Sequence, residues 1–326
     1  MPVKILVTGA AGFIGGEVLS SLSKSGFEVL GIDNFSPYYN VGMKQKKLQD
    51  LGLTELVQDV DITSREQLLS VFKTFNPTHV VHLAAQGGVR ASKADPLPYL
   101  QTNQLGFLNM LEISEGVGVK KFIYASSSSV YGDNTIAPFR ESSLLSAPKS
   151  LYALSKLSNE IIASYLPQSE TQRIGLRFFT VYGPWGRPDM AIFRLLANSL
   201  LKKPFYLTAD LNVKRDFTFV ADVSRIIQEL IGHERKFSEP LILNVAAGKP
   251  YSLLELFNLL DSVGIPVEKI DTAPDPLDVK MTNGCTEKLE LYGLTVPKTS
   301  LQTGITQTYE WMLRQDLEEL RTWLGR

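Results

Sequence analysis

Cysteine and histidine are scarce in this sequence, and its charges nearly cancel. Cys285 is the single cysteine among 326 residues, which excludes an intrachain disulfide and fits a reducing compartment. The three histidines, His79, His82 and His233, have no metal-ligand spacing with it, so we expect no metal site. A formal net charge of −1 gives no reason to expect nucleic acid or an anionic membrane as a partner.

Long hydrophobic runs and a targeting segment are also missing. No uninterrupted apolar run reaches the roughly 18 residues that a membrane-spanning helix requires. The apolar residues 3–8 predict a β-strand almost at the first residue, which leaves no room for a signal peptide. We therefore expect a globular protein of the cytoplasm that has no membrane segment.

The first half of the chain alternates short apolar strands with helical patterns. Predicted strands lie at residues 3–8, 28–32, 56–61, 79–83, 121–125 and 173–179. This alternation predicts an α/β fold in which a doubly wound, Rossmann-type parallel sheet is covered by helices on both faces.

After Thr180 the pattern becomes less regular, and prolines interrupt it repeatedly. We predict a first domain over residues 1–180 and a smaller C-terminal lobe made mainly of residues 181–326. Two later strands, near 215–220 and 241–245, are expected to return to the sheet of the first domain.

A glycine-rich turn follows the first predicted strand. Residues 9–15 (GAAGFIG) lie between a strand and a helix, the context in which such a turn binds a dinucleotide. Gly9 permits the tight turn, Gly12 lets the backbone approach a pyrophosphate, and Gly15 lets helix and strand pack closely. Asp33 ends the second strand, where a carboxylate accepts hydrogen bonds from ribose hydroxyls and repels a 2′-phosphate. The predicted cofactor is therefore NAD rather than NADP.

A tyrosine and a lysine at helical spacing predict the catalytic centre. Tyr152 and Lys156 are four residues apart and lie on one face of a predicted helix. An ammonium beside a phenol favours the phenolate, so we expect the pKa of Tyr152 to lie below its ordinary value of about 10. With the glycine turn and the serine run at residues 126–129, this pair indicates hydride chemistry on a sugar hydroxyl.

These segments resemble the extended short-chain dehydrogenase/reductase family, the nucleotide-sugar epimerases and dehydratases. The resemblance covers nearly the whole chain and includes TGAAGFIG (8–15), HLAA (82–85), YASSSSVYG (124–132), YALSK (152–156) and RDFTFVAD (215–222). One subgroup, the UDP-glucuronate 4-epimerases, is most similar, through HLAAQGGVRAS (82–92), TNQLGFLNMLE (102–112), PKSLYALSK (148–156) and GLRFFTVYGPWGRPDMAIF (175–193).

The resemblance implies a role for individual residues. Tyr152 is expected to be the catalytic base, Ser127 to hydrogen-bond the reacting oxygen, and Lys156 to hold the nicotinamide ribose. NAD contacts are implied at Gly9, Gly12, Phe13, Ile14, Gly15, Asp33, Asn34, Asp61, Ile62, Leu83, Ala84, Ala85, Asn103, Tyr152 and Lys156. Contacts with a UDP-sugar are implied at Arg90, Ser127, Ser128, Ser129, Thr180, Arg187, Arg215 and Asp278, which would make the C-terminal lobe mainly substrate-binding.

The implied activity is reversible C4 epimerisation of UDP-glucuronate to UDP-galacturonate, through a transient 4-keto sugar and tightly bound NAD. Dehydratases of the family carry Asp-Glu after the catalytic Ser/Thr, whereas this chain has Ser128 and Ser129, which disfavours dehydration. A neutral UDP-hexose 4-epimerase, a UDP-glucuronate decarboxylase and a non-catalytic NAD-binding regulator remain alternatives. A homodimer formed through the helices near 99–115 and 152–165 is also implied.

Overall fold

The structure is a computed structural model that describes residues 2–132, 136–145, 147–167, 169–236, 240–272 and 279–325. The strands are β1 (Lys4–Thr8), β2 (Glu28–Asp33), β3 (Val57–Asp59), β4 (His79–His82), β5 (Lys121–Ser127), β6 (Gln172–Phe178), β7 (Thr180–Tyr182), β8 (Phe205–Leu207), β9 (Lys214–Phe219), β10 (Leu241–Val245), β11 (Pro250–Ser252) and β12 (Lys269–Asp271). The α-helices are α1 (Phe13–Lys24), α2 (Val41–Asp50), α3 (Arg65–Phe75), α4 (Ala91–Ala94), α5 (Phe107–Gly116), α6 (Leu151–Tyr165), α7 (Ala191–Leu200), α8 (Val220–Gly232), α9 (Leu253–Ser262), α10 (Glu287–Leu291), α11 (Leu301–Leu313) and α12 (Leu317–Trp323). A π-helical segment, Tyr99–Gly106, runs directly into α5.

The main sheet contains seven parallel strands in the order β3-β2-β1-β4-β5-β6-β10. The chain winds outward in both directions from β1, because β2 lies on one side of it and β4 on the other. In such sheets a crevice forms at the carboxyl ends of the strands where the order reverses, and ligands bind there. The prediction of an α/β fold with a doubly wound Rossmann-type sheet is confirmed.

Helices bury both faces of this sheet. Within β1, Ile5 and Val7 pack into the cluster that contains α1 and α8, whereas Leu6 faces the opposite cluster with α3 and α5. Alternate residues of a strand point to opposite faces, so a strand covered on both sides is apolar throughout. This explains why the interior of β1, residues 5–7, is a continuous apolar run in the sequence.

The second lobe has its own sheets and its own core. Its strands form a three-stranded sheet, β11-β9-β7, and a two-stranded sheet, β12-β8. Around them α7, α9, α11 and α12 share a buried cluster that includes Trp185, Phe193, Phe257, Leu320 and Trp323.

The two strands that were expected to return to the main sheet behave differently. β10 does so and pairs with β6 from Leu241↔Ile174 to Val245↔Phe178. The prediction is wrong for the strand near 215–220, because β9 pairs with β7 and β11 in the small sheet instead. Since β10 occupies the β6 edge of the main sheet, β9 has no position beside β6. The domain boundary near residue 180 remains a prediction.

The described residues contain neither a membrane-spanning helix nor a metal-binding cluster. No helix in those ranges is both long enough and apolar enough to span a bilayer. In the same ranges, no group of three or more His, Cys, Asp or Glu side chains is arranged to hold a metal ion.

Candidate active site

A cleft of about 480 Å³ opens at the carboxyl ends of the main-sheet strands and reaches residues of the second lobe. Most of the predicted site residues line it together. They are Gly9, Gly12, Phe13, Ile14, Gly15, Asp33, Asn34, Ile62, Leu83, Ala84, Ala85, Arg90, Ser127, Ser128, Ser129, Tyr152, Lys156, Thr180, Arg187 and Arg215. The cleft therefore unites the predicted cofactor-binding and substrate-binding residues in one cavity.

Two predicted contact residues, Asp61 and Asn103, are not part of the cleft lining. Asp61 lies behind Asn34, whose Nδ2 donates a hydrogen bond to Asp61 Oδ2 at 2.9 Å. Asn103 is buried in the π-helical segment, where its Oδ1 accepts from the Gln86 amide at 2.7 Å and its Nδ2 donates to Ser155 Oγ at 3.0 Å. Asp61 and Asn103 thus position residues of the wall, namely Asn34 and Gln86. Asp278 lies outside the described residues.

The glycine turn has the shape that a dinucleotide requires. Gly9 has φ +69°, and a Cβ there would lie 2.8 Å from the Ala84 amide nitrogen. A Cβ on Gly15 would lie 2.0 Å from the Gly9 carbonyl oxygen, so only glycine lets α1 pack this closely against the turn. The first turn of α1 has no side-chain cap at Gly12 and no acidic residue. Its amide groups are therefore available to an anion such as a pyrophosphate.

Asp33 stands at the end of β2, as the sequence predicted, and the glycine turn is bonded to it. Its Oδ2 accepts the Ala11 amide at 3.0 Å and its Oδ1 accepts the Phe35 amide at 2.8 Å. A carboxylate has about four acceptor positions, so acceptor capacity remains for ribose hydroxyls. Lys44 Nζ lies 3.7 Å from Asp33 Oδ1, and the sequence analysis missed this partner because it comes from the separate helix α2.

Lys47, also on α2, is a second residue that the sequence analysis missed. Its side chain is buried, and its Nζ donates to the carbonyl oxygens of Gly12 at 2.6 Å and Phe13 at 2.7 Å. Burial lowers the pKa of Lys47 to about 7, against the opposing charges of Glu17 and Asp33. The ammonium group thus ties α2 to the beginning of α1, directly behind the turn. The only signal in the sequence was a lysine-rich helix after the second strand.

Tyr152 and Lys156 lie on α6, but the predicted effect of Lys156 on the pKa of Tyr152 is not found. Its Nζ donates to the Ala125 carbonyl oxygen at 2.9 Å, and burial lowers the pKa of Lys156 to about 8. Burial raises the pKa of Tyr152 above its ordinary value, although a hydrogen bond from Ser127 and the charge of Arg187 oppose the shift. The prediction that Lys156 lowers the pKa of Tyr152 is therefore wrong, because the Lys156 ammonium is directed to the Ala125 carbonyl oxygen on β5.

A buried ion pair fixes α6 against the main sheet. Arg177 on β6 donates from Nε and Nη2 to the carboxylate of Glu160 at 2.9 and 2.8 Å. The same carboxylate accepts the hydroxyl of Ser126, the neighbour of Ser127. Glu160 follows Lys156 by one helical turn, so this pair sets the position of the catalytic side chains.

The serine run forms a tight turn beneath Tyr152. Ser127 Oγ accepts hydrogen bonds from the Ser129 hydroxyl at 2.9 Å and the Ser129 amide at 3.2 Å. Residues 128–131 form a 3₁₀ turn, and the cleft wall includes Ser127, Ser128 and Ser129. This places several hydroxyl groups at the end of β5, where a polar group of a sugar can meet them.

The remaining predicted substrate contacts come from other parts of the fold. Thr180 begins β7, and Arg215 lies on β9 with its Nη1 donating to the Val279 carbonyl oxygen at 2.7 Å. Arg90 Nη2 is 3.5 Å from Thr208 Oγ1 of the second lobe. Both lobes therefore contribute cationic side chains to one cavity.

The family of the chain follows from a match over most of its length. Residues 5–246 match the family model described as "NAD dependent epimerase/dehydratase family". The chain belongs to this family. Its cofactor is NAD, and the glycine turn, the uncapped first turn of α1 and the carboxylate of Asp33 fit that group.

Similar proteins extend this family relationship over both lobes. The UDP-glucuronate 4-epimerase of Thermodesulfobacterium geofontis is 35% identical over 325 residues, which cover 97% of this chain and 98% of the relative. The solved UDP-glucuronic acid 4-epimerase of Bacillus cereus, in complex with UDP-glucuronic acid and NAD, is 34% identical with a TM-score of 0.85 and covers 98% of this chain and 100% of its own. The solved UDP-glucose 4-epimerase of Thermotoga maritima, with UDP-glucose, is 30% identical with a TM-score of 0.86. The match covers 96% of this chain and 99% of the epimerase.

A first prediction concerns Lys47. Replacing it in Lys47→Met leaves two carbonyl oxygens without their donor and removes a positive charge behind the pyrophosphate turn. The dissociation constant for NAD, measured by titration calorimetry, should rise about ten-fold or more. Lys46→Met, which removes a lysine paired with Asp50 on the exposed side of α2, is the control and should bind NAD as the wild type does. Equal NAD affinity in both variants would show that Lys47 does not support the turn.

A second prediction concerns pH. Because Ser127 favours the phenolate of Tyr152, Ser127→Ala should raise the pKa of Tyr152 further. The ascending limb of the profile of log kcat/KM against pH should move to higher pH, and turnover near neutrality should fall about ten-fold or more. An ascending limb that stays in place in Ser127→Ala would exclude Ser127 as the partner of Tyr152.

Proposed function

We propose that this protein catalyses the reversible C4 epimerisation of UDP-glucuronate to UDP-galacturonate. The observation that carries the proposal is the position of Arg187 in the same cleft as Tyr152 and the hydroxyl groups of Ser127, Ser128 and Ser129. A cation and a row of hydroxyl donors suit a sugar that bears a carboxylate. The names of the relatives from Thermodesulfobacterium geofontis and Bacillus cereus support the same substrate.

The protein's own groups handle the proton. Tyr152 takes the proton of the C4 hydroxyl, and the hydrogen bond from the Ser127 hydroxyl to Tyr152 favours the phenolate that accepts this proton. Lys156, fixed by the Ala125 carbonyl oxygen, lies one helical turn from Tyr152 and would hold the nicotinamide ribose of the bound cofactor. When bound, NAD accepts the C4 hydride and later returns it. Between the two hydride transfers the 4-keto sugar rotates, so that the opposite face of C4 is presented to the nicotinamide. Tyr152 then returns the proton to the C4 oxygen.

The carboxylate of the substrate must also be controlled. A 4-keto uronate is a β-keto acid, which loses carbon dioxide readily. Donors from Ser128, Ser129 and Arg187 would hold the carboxylate in an orientation that discourages cleavage of the bond between C5 and C6. The aliphatic hydroxyl groups of Ser128 and Ser129 cannot perform the acid and base steps of a dehydration at neutral pH, which is why the serine run disfavours that reaction.

A neutral UDP-hexose 4-epimerase is the second candidate. It is favoured by the ion pair between Arg187 and Asp189, with Nη2 to Oδ2 at 2.7 Å, because a paired arginine attracts a carboxylate less strongly. The similarity to the UDP-glucose 4-epimerase of Thermotoga maritima points the same way. A decarboxylase would use the same UDP-glucuronate but release a pentose.

The third prediction distinguishes these activities. The NAD-loaded protein is incubated separately with UDP-glucuronate and UDP-glucose, and the products are resolved by chromatography. We expect UDP-galacturonate from UDP-glucuronate, little UDP-pentose, and much slower conversion of UDP-glucose. Turnover of UDP-glucose without turnover of UDP-glucuronate would establish the neutral activity instead, and a predominant pentose would establish decarboxylation.

The same assay tests Arg187. In Arg187→Ala we expect a fall in epimerisation of about ten-fold or more, since a charge-assisted contact is lost, together with the appearance of a 4-keto pentose. Arg194→Ala is the control, because Arg194 lies on α7 with its guanidinium 5.1 Å from the Phe205 ring of β8, and it is not part of the proposed contact set. Wild-type rates and products in Arg187→Ala would refute the role of Arg187.

We further propose that the protein is a homodimer of the cytoplasm. Large apolar side chains are exposed on the neighbouring π-helical segment and α6, namely Leu100, Leu105, Leu154, Ile161 and Tyr165. Contiguous exposed apolar surface is typical of a protein interface. The single thiol, Cys285, is buried and suits a reducing compartment.

The fourth prediction tests this dimer. A charge at the centre of the apolar surface, in Ile161→Glu, should convert the dimer to a monomer in multi-angle light scattering. Leu144→Glu is a matched control, because Leu144 is 94% exposed and lies outside that surface. A monomeric wild type at micromolar concentration would contradict the proposal.

A further inference from the structure

Arg187 is paired before any substrate reaches it. Its Nε donates to Asp189 Oδ1 at 3.0 Å and its Nη2 donates to Asp189 Oδ2 at 2.7 Å. This is the two-pronged geometry in which a guanidinium binds a carboxylate most strongly. Although burial raises the pKa of Asp189, the charge of Arg187 holds that pKa below its ordinary value, so Asp189 is ionised at neutral pH.

The guanidinium also has a fixed position. Tyr38, from the loop between β2 and α2, donates its hydroxyl to Asp189 Oδ2 at 3.2 Å, and the guanidinium carbon lies 5.3 Å from the Tyr38 ring centre. On the other side, a Cβ on Gly87 would lie 2.2 Å from Arg187 Nη1. Among the residues that the structure describes, no acceptor is bonded to Nη1. Arg187 therefore presents one edge to the cleft while Asp189 occupies the other.

We propose that Asp189 attenuates the positive charge of Arg187, so that the sugar carboxylate is held loosely enough for the 4-keto sugar to turn over. This inference rests on the proposed function, because it concerns the carboxylate of a uronic acid. Asp189 is a positioning residue, since it acts through Arg187 and not on the substrate.

The reason lies in the two orientations that an epimerase must bind. When the sugar turns over, its carboxylate is carried to a different position, and any contact made in only one orientation has to be released. An unpaired guanidinium would bind the carboxylate with two hydrogen bonds and stabilise one orientation. Stronger binding of the ground state without stronger binding of the transition state lowers KM and kcat together. Nε donates to Asp189, and Nη2 donates both to Asp189 Oδ2 and to Met190 Sδ at 3.9 Å, so only Nη1 is left to contact the substrate.

The effect should be moderate, because the pair is partly exposed. The Asp189 side chain is 42% exposed and that of Arg187 24%, so solvent weakens their attraction. We expect the substitution Asp189→Asn, which keeps the size and one acceptor oxygen, to change affinities by about two- to five-fold.

The test compares two sugars in the NAD-loaded protein. Dissociation constants for UDP-glucuronate and UDP-glucose are measured by calorimetry, and kcat is measured from UDP-galacturonate formation. In Asp189→Asn we expect tighter UDP-glucuronate binding, a lower kcat and unchanged UDP-glucose affinity. Asp50→Asn, on the exposed side of α2 beside Lys46, is the control and should match the wild type in all of these values.

Two results would overturn the inference. Weaker UDP-glucuronate binding in Asp189→Asn would mean that Asp189 merely orients Arg187, and equal changes for both sugars would mean a structural role only. Failure of the proposed function is recognised separately, since the wild type would then not interconvert the two uronates. The affinity comparison does not require turnover, so it still decides whether Asp189 weakens binding of a carboxylate.

Discussion

The attachment of α6 to the carboxyl ends of β5 and β6 is the constraint on which the active site depends. A buried carboxylate is costly unless its oxygens are well provided with donors. Here Glu160 receives two nitrogen donors of Arg177 and the hydroxyl of Ser126. Separating Arg177 from Glu160 would leave an uncompensated buried charge, so the folded protein strongly favours the arrangement in which the two are bonded. Because α6 is rigid, fixing Glu160 also fixes the turn that carries Lys156 and the turn before it that carries Tyr152.

One short segment, from the end of β6 to the start of β7, connects the main-sheet side of the site with the side formed by the second lobe. β6 ends at Phe178 in the main sheet, and β7 begins at Thr180 in the sheet of the second lobe. The chain thus changes sheets within two residues at the edge of the cleft. Arg187 and Asp189 come only a few residues after the end of β7 at Tyr182, so a short connection links them to this change of sheets.

The sequence predicted those features that local chemistry determines. The glycine turn, Asp33 at the end of β2 and the Tyr152–Lys156 spacing each depend on a few neighbouring residues, and the structure places them in one cleft. The sequence did not predict the roles of Lys44, Lys47 or Asp189, because each depends on a contact made in the folded protein. The prediction of a lowered pKa for Tyr152 was wrong for the same reason. Burial dominates that pKa, and the direction of the Lys156 ammonium cannot be inferred from helical spacing.

The position of β9 shows how strand prediction fails in physical terms. Its residues form a strand, and that part of the prediction was correct. Which sheet a strand joins depends on which edge is unoccupied, and β10 pairs along the edge of β6. A single sequence contains no direct information on this competition between two later strands.

On each side of the cleft a cationic side chain is held by oxygen atoms of the protein, but the two cations differ in how far solvent reaches them. On the cofactor side, Lys47 is buried and bonded to backbone oxygen atoms, so its position cannot change without breaking the turn. On the substrate side, Arg187 is bonded to a partly exposed carboxylate on a neighbouring residue. A buried charge is screened little by solvent, whereas an exposed pair is screened strongly. The first arrangement suits a cofactor that remains bound. The second suits the proposed substrate, whose carboxylate must be bound, released and bound again within each catalytic cycle.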